Sequence, residues 1–122
     1  DMTITQQDLI DAAKSIGLEV AYSREWYEEP TPRLENGHGK IWNPRTDAND
    51  LMMLICGLGI DTFFDDDRVA VSIDPFPASG MSASVIYPDG KTYNDCTPEE
   101  RSRALSEACV KLAANIERAK VE

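Results

Sequence analysis

The stretch that most constrains this chain is Trp42-Asn43-Pro44-Arg45-Thr46-Asp47-Ala48-Asn49-Asp50, running directly into Leu51-Met52-Met53-Leu54-Ile55. Pro44 fixes its own φ and pushes Asn43 toward an extended conformation, so no helix passes through this point. A new helix must start behind it. Thr46 or Asp47 can accept from its open N–H groups, and the acids Asp47 and Asp50 suit its positive end. Leu51, Met52, Leu54, Ile55 and Leu58 then wrap much of the helix surface, which predicts a largely buried helix over 47–57. Trp42 is placed to fold back onto it as an anchor.

Elements on either side follow from local signals. Thr5 opens a first helix with Asp8 at the capping-box position, Leu9, Ile10, Ala13 and Ile16 recur at helical spacing, and Gly17 is a natural stop. Residues 18–22 alternate as a short strand. The segment 23–41 holds Pro30, Pro32, Gly37 and Gly39 and reads as a long connection without regular structure. Its Trp26 and Tyr27 either pack on the sheet or first helix or serve a subunit contact.

A hairpin is expected next: strand 60–64, a turn at Asp65-Asp66-Asp67, and strand 68–74 with Val69, Val71 and Ile73 on one face. Met81, Ala83, Val85 and Tyr87 alternate on a third strand. Pro88-Asp89-Gly90 turns the chain into a short fourth at Lys91-Thr92-Tyr93. Thr97-Pro98-Glu99-Glu100 then opens a helix to about Lys120, with Leu105, Ala108, Cys109, Leu112, Ala113 and Ile116 as its apolar stripe.

These elements predict an α+β fold of the α/β/α sandwich type, one antiparallel sheet of about four strands covered by helices. Its 122 residues suit a single domain, with 1–41 as an N-terminal helix plus Pro/Gly-rich segment and 42–122 as the core. The first helix and the Pro/Gly segment are expected to wrap an edge or a neighbouring subunit. An exposed sheet edge favours a homodimer or higher homo-oligomer.

The charge of −10 narrows function. So acidic a surface repels the phosphate backbone, which argues against a duplex nucleic-acid partner. It leaves an acidic protein that imitates DNA, or one that hides a basic pocket for a small anion. No apolar run approaches a membrane span, and Asp1-Met2-Thr3-Ile4 has neither the basic region nor the apolar core of a signal peptide. Cys56, Cys96 and Cys109 show no paired spacing and read as small buried hydrophobes. One histidine, His38, is too few for a zinc site of ordinary make-up, and the aspartate triplet is too short for a calcium loop. No metal and no cofactor is expected.

Nucleophile-elbow and phosphate-loop motifs are missing, and Gly57-Leu58-Gly59 lacks a third glycine and follows a helix rather than a strand. A non-enzymatic binding role is therefore expected. Of twelve cationic side chains, Arg45, Arg101 and Arg103 sit at predicted helix starts. Cations there oppose the helix dipole, yet arginine beside open N–H groups is what a phosphate site needs. Each also has an ion-pair reading: Arg103 with Glu99 or Glu107, Arg101 with Asp95 or Asp89. Phe76 on a Pro-rich turn and Tyr93-Asn94 before the last helix complete a candidate nucleotide pocket, an aromatic to stack the base and an amide to read its edge.

The W-N-P-x-T-D-x-N-D pattern, followed by an apolar helix and β-hairpins, resembles the small ABA sandwich domain of phage and prophage proteins. The resemblance covers residues 42 to the C-terminal helix, about two-thirds of the chain. Some members of that family are Thoeris anti-defence sponges, which sequester cyclic ADP-ribose signals, and in some cases cyclic oligonucleotides, of bacterial immunity. The resemblance implies a ligand held without turnover near subunit contacts, in the cytoplasm of the infected bacterial host. It carries Arg45 over, inside the matching motif. Phe76, Asn94, Arg101 and Arg103 are placed by chemistry and position only. The first helix and the 23–41 segment have no counterpart in the pattern. The alternative, an acidic DNA mimic or host-interaction protein inhibiting a nuclease or regulator, draws on Asp61, Asp65, Asp66, Asp67 and Asp74 along one hairpin.

Overall fold

The longest helix organises the chain. In the computed structural model, whose described residues are 4–23, 31–34, 40–73 and 81–121, the elements run α1 (Gln6–Ser15), β1 (Val20–Ser23), β2 (Thr31–Leu34), α2 (Ala48–Leu58), β3 (Ile60–Phe64), β4 (Arg68–Ile73), β5 (Ser82–Ile86) and α3 (Pro98–Val121). α3 lies against β4 and β5 on one side and against α1 and α2 on others. Its middle is therefore buried nearly all round: Ala104, Ala108, Ala113 and Ala114 join Cys109, Val110 and Leu112 in the core. Alanines let neighbouring backbones approach from several directions, so burial is wider than the single stripe predicted from periodicity.

The α+β class holds, with the strands divided differently from the expected single sheet of about four. β3, β4 and β5 form an antiparallel meander, and β1 and β2 form a separate antiparallel pair. β2 lies inside the segment expected to have no regular structure. It pairs with β1 from Val20↔Leu34 to Ser23↔Thr31, and Arg33 bridges to Ile41. The expected fourth strand is also absent. The chain instead makes 3-10 turns at Pro88–Gly90 and Tyr93–Asp95, and Tyr93 N–H donates to the Asp66 carbonyl at 2.8 Å. Tyr87 donates its N–H to the Asp67 carbonyl and its hydroxyl to the Asp65 carbonyl. Two tyrosines thus pin the aspartate turn.

The register puts Ile60, Thr62, Phe64, Val69, Val71, Ile73, Ala83 and Val85 on the face toward α3. Val69 and Val71 are fully buried there. On the opposite face, Phe63 is 64% exposed and Ile86 65%.

α1 does not wrap a sheet edge; it docks on α3 of the same chain. Thr5 caps it with the predicted box: Asp8 N–H donates to Thr5 Oγ1, and Thr5 N–H to Asp8 Oδ2. Asp8, 2% exposed, also receives Lys111 Nζ at 2.9 Å and Arg118 at 2.7 Å, while Arg118 Nε reaches Asp11 at 2.9 Å. Burial alone would raise the Asp8 pKa. The Thr5 N–H and the two cations outweigh it and hold the carboxyl at about 2.

α2 is less buried than its sequence predicts. Leu51 and Leu54 are buried, but Met52, Met53 and Cys56 are exposed. Of the cysteines expected to be buried, Cys96 and Cys109 are, and burial pushes the Cys109 thiol up to about 12. Gly59 ends α2 at φ 68°, a left-handed cap that glycine takes without strain, and β3 begins at the next residue. The expectations placed on Trp26, Tyr27, His38, Asp74 and Phe76 lie outside the described residues. No helix among the described residues is long and apolar enough to cross a membrane.

Candidate functional site

The organising motif is a closed set of hydrogen bonds, and nearly every residue in it has a task. Trp42 is buried and ties its N–H to the Pro32 carbonyl of β2. Asn43 donates its N–H to the buried Asp50 carboxylate at 2.9 Å. Its carbonyl accepts from the N–H of Thr46 and of Asp47, and its Oδ1 accepts the Arg45 N–H at 2.9 Å. Pro44, itself buried, sits at the corner. Asp47 then caps α2, Oδ1 accepting from Asn49 and Asp50 N–H. Two buried side-chain N–H groups of this knot, Trp42 Nε1 and Arg45 Nε, take no part in it.

The Arg45 Nε is buried without a hydrogen-bond partner. A guanidinium N–H in that position has given up water and gained nothing in exchange. The side chain lines two clefts. One, about 510 Å³, is completed by Pro98, Glu99, Ser102 and Arg103 from the first turns of α3. The other, about 470 Å³, is lined by Ile4, Thr5, Gln6, Leu9, Tyr22, Pro32 and Asn43. Burial raises the pKa of the Tyr22 hydroxyl, and the Arg45 charge beside it pulls the other way.

Arg45 and Arg103 are therefore brought together, as the sequence suggests. Arg101 is not. Two residues apart on a helix are roughly 200° apart around its axis, so Arg101 faces away and stacks over the Tyr93 ring at 4.4 Å. Tyr93 in turn meets Phe64 edge-on and leans on Tyr87, which makes Arg101 part of the packing of the turn after β5. Asn94 is exposed on that same turn and does not line the arginine cleft. Ser102 and Tyr22 were missed by sequence reasoning. Ser102 is legible in hindsight as the residue between the arginines, Tyr22 only through its place on β1.

Electrostatics of the cleft are mixed. Arg103 makes an i, i+4 pair with Glu107 at 3.5 Å and is 69% exposed on its side chain, so that pairing is weak. Glu99 puts a carboxylate on the wall. Fewer helix N–H groups are open than the sequence suggests. Thr97 and Glu100 form a reciprocal capping box on α3, Pro98 has no N–H to offer, and Asp47 takes two donors of α2. Recognition of an anion here falls to the arginines and the Ser102 hydroxyl. The described residues hold no grouping of histidine, cysteine and carboxylate side chains suited to a metal ion.

Comparison with protein-family models, with curated proteins and with solved structures finds no match for this chain.

Proposed function

We propose that this chain is a non-enzymatic binding protein that holds a small phosphoryl-bearing nucleotide in the cleft between Arg45 and Arg103. The observation that carries the reading is the buried, unpartnered Arg45 Nε, on a main chain held by a hydrogen-bonded knot and sharing a cleft with a second arginine, in a chain of net charge −10. Two guanidinium groups and a serine hydroxyl can hold a phosphoryl group bidentately. The resemblance of the W-N-P-R-T-D stretch to phage sandwich domains supports a cyclic ADP-ribose isomer as ligand, with cyclic oligonucleotides as a related class. It also supports a role in blocking host anti-phage defence by sequestering that signal in the bacterial cytoplasm.

Self-association belongs to the same proposal. Met52 and Met53 on α2 and Phe63 and Ile86 on the sheet are large apolar side chains left half or more exposed, and a second copy would cover such surface. Sedimentation at micromolar concentration is expected to give a dimer or larger species; a clean monomer refutes this part alone.

The experiment for function is capture and release. The protein is incubated with cyclic ADP-ribose isomers and cyclic dinucleotides, washed, heated, and the supernatant chromatographed. Intact nucleotide supports sequestration, and a converted product identifies an enzyme. No captured nucleotide, with salt-sensitive binding to a basic protein, identifies the acidic DNA mimic instead.

A further inference from the structure

Strand β5 ends the three-stranded sheet, and among the described residues no strand pairs with its outer edge. Tyr87 N–H donates to the Asp67 carbonyl and Ile73 N–H to the Met81 carbonyl. The alternation of an antiparallel ladder therefore gives the backbone groups of Ala83 and Val85 to β4 and turns those of Ser82, Ser84 and Ile86 outward. Helix α3 flanks this edge and runs opposite to it. Val85 and Ile86 share one cleft with Glu100, Ala104 and Glu107, while Ser82, Ala83 and Ser84 share another with Lys111 and Asn115.

We infer that the β5 edge pairs antiparallel with the β5 edge of a second copy, about a two-fold axis at Ser84. The inference rests on the proposed self-association and names its surface. In that register Ser84 faces its own counterpart and Ser82 faces Ile86, so every outward group of the strand is used and each facing pair exchanges two hydrogen bonds. Ile86, 65% exposed, lies against a small serine rather than a second Ile86. Because α3 packs on both β4 and β5, the two copies of α3 come within about 10 Å, the spacing of packed helices. Charge selects their direction. Glu100, Glu107, Lys111 and Arg118 fall within about 40° of one another around α3, at 100° per residue. An antiparallel copy sets Glu107 against Lys111 and Glu100 against Arg118, both pairs centred level with Cys109. A parallel copy would set like against like. The clefts place that centre beside Ser84, so strand and helix call for the same axis. Each of these charges also has a partner in its own chain, so the new pairs set orientation more than affinity. An unrelated extended peptide could use the strand edge but has no counterpart to the charge order on α3.

The test is sedimentation of wild type and Ser84→Pro, with cross-linking of cysteine variants. Ser84→Pro removes an outward N–H and none that bonds β4, a position where an edge strand tolerates proline. It is expected to weaken the dimer roughly five- to a hundredfold, two backbone hydrogen bonds being lost per dimer. In a Cys56→Ser background, which removes the exposed thiol, Ser84→Cys is expected to form a disulfide dimer with glutathione disulfide as oxidant, since facing Cα atoms lie about 5.5 Å apart. Ser82→Cys should not, its counterpart being roughly 14 Å away along the strands. If Ser84→Pro does not fold, the cross-links carry the test. A folded Ser84→Pro with unchanged self-association, or cross-linking no better at 84 than at 82, overturns the β5 axis and leaves self-association through another surface. A monomeric wild type overturns both and leaves the edge to an extended segment of another protein.

Discussion

Helix α3 carries two sets of cations, and the two halves of the molecule treat them in opposite ways. Toward its C-terminal end, Lys111 and Arg118 turn inward to Asp8 and Asp11 of α1. Arg118, in the last turn, suits the negative end of the helix dipole, and each cation meets a carboxylate that is at least mostly buried. At its N-terminal end Arg103 faces Arg45 across an open cleft. Its partner Glu107 is a loose surface contact. The first arrangement is closed and joins two helices. The second leaves the Arg45 Nε without a partner and Arg103 in only a loose pair, and it is those open donors which a ligand can complete.

Breaking the closed cluster should have the largest effect. Asp8→Ala removes half of the α1 capping box and leaves Lys111 and Arg118 facing a cavity. Loss of one partner of a buried pair costs about 3–5 kcal/mol; with Arg118 43% exposed on its side chain, the low end applies, about 3 kcal/mol. For a domain of this length that lowers Tm by ten degrees or more, read by thermal denaturation. Ligand affinity of the folded fraction should be unchanged.

Breaking the open pair should do the reverse. Arg103→Ala is expected to weaken nucleotide binding by about 1.5–3 kcal/mol, roughly ten- to a hundredfold, by calorimetry. Stability should shift by less than about 1 kcal/mol, since only an exposed ion pair is lost. Arg45→Met keeps the aliphatic stem and removes a buried donor without a partner. It should lose affinity as Arg103→Ala does, and melt at the same or a higher temperature than wild type. A marked drop in Tm with normal nucleotide capture would show that Arg45 is a packing residue.

These contrasts also separate what the sequence made legible from what it hid. The caps at Thr5, Asp47 and Thr97 were readable because each closes within three residues of itself. Strands β3 and β4 were readable from alternation around one turn. The Asp8–Arg118 pair spans 110 positions, and nothing local announces it. Strand β2 was hidden because its partner register is set by β1 and by the bridge to Ile41, not by the Pro/Gly pattern around it. Arg45 was recognisable from its motif, Arg101 and Arg103 only as a pair. Helical phase, which decides that one packs on Tyr93 and the other lines the cleft, follows from periodicity once the sheet's position is known.

Acid sharpens the comparison further. The folded-state pKa of Asp8 lies at about 2 against an ordinary 3.8. A depressed carboxylate contributes stability that is fully present above the unfolded value and lost as pH falls through the folded one. The closed cluster should therefore contribute roughly 2 kcal/mol at neutral pH and lose it between about pH 4 and pH 2. Denaturant midpoints across that range should fall for wild type more steeply than for Asp8→Ala. Parallel curves would mean that Asp8 is not the titrating group.

The smallest effect is expected at Arg101, and it decides whether the two arginines of α3 differ in kind. Its guanidinium sits over Tyr93 in an exposed to half-buried setting, where such contacts contribute about 0.5–1 kcal/mol. Tyr93 is also held by Phe64, by Tyr87 and by its N–H bond to the Asp66 carbonyl, so the turn survives the loss of one contact. Arg101→Ala should lower Tm by only a few degrees. Nucleotide affinity should stay within about twofold of wild type, against the tenfold or greater loss at Arg103. Arg101→Lys should recover little, because an ammonium stacks less well than a planar guanidinium. If Arg101→Ala instead reduces affinity as much as Arg103→Ala, the ligand must reach both sides of the helix, and a cleft confined to Arg45 and Arg103 is too small for it.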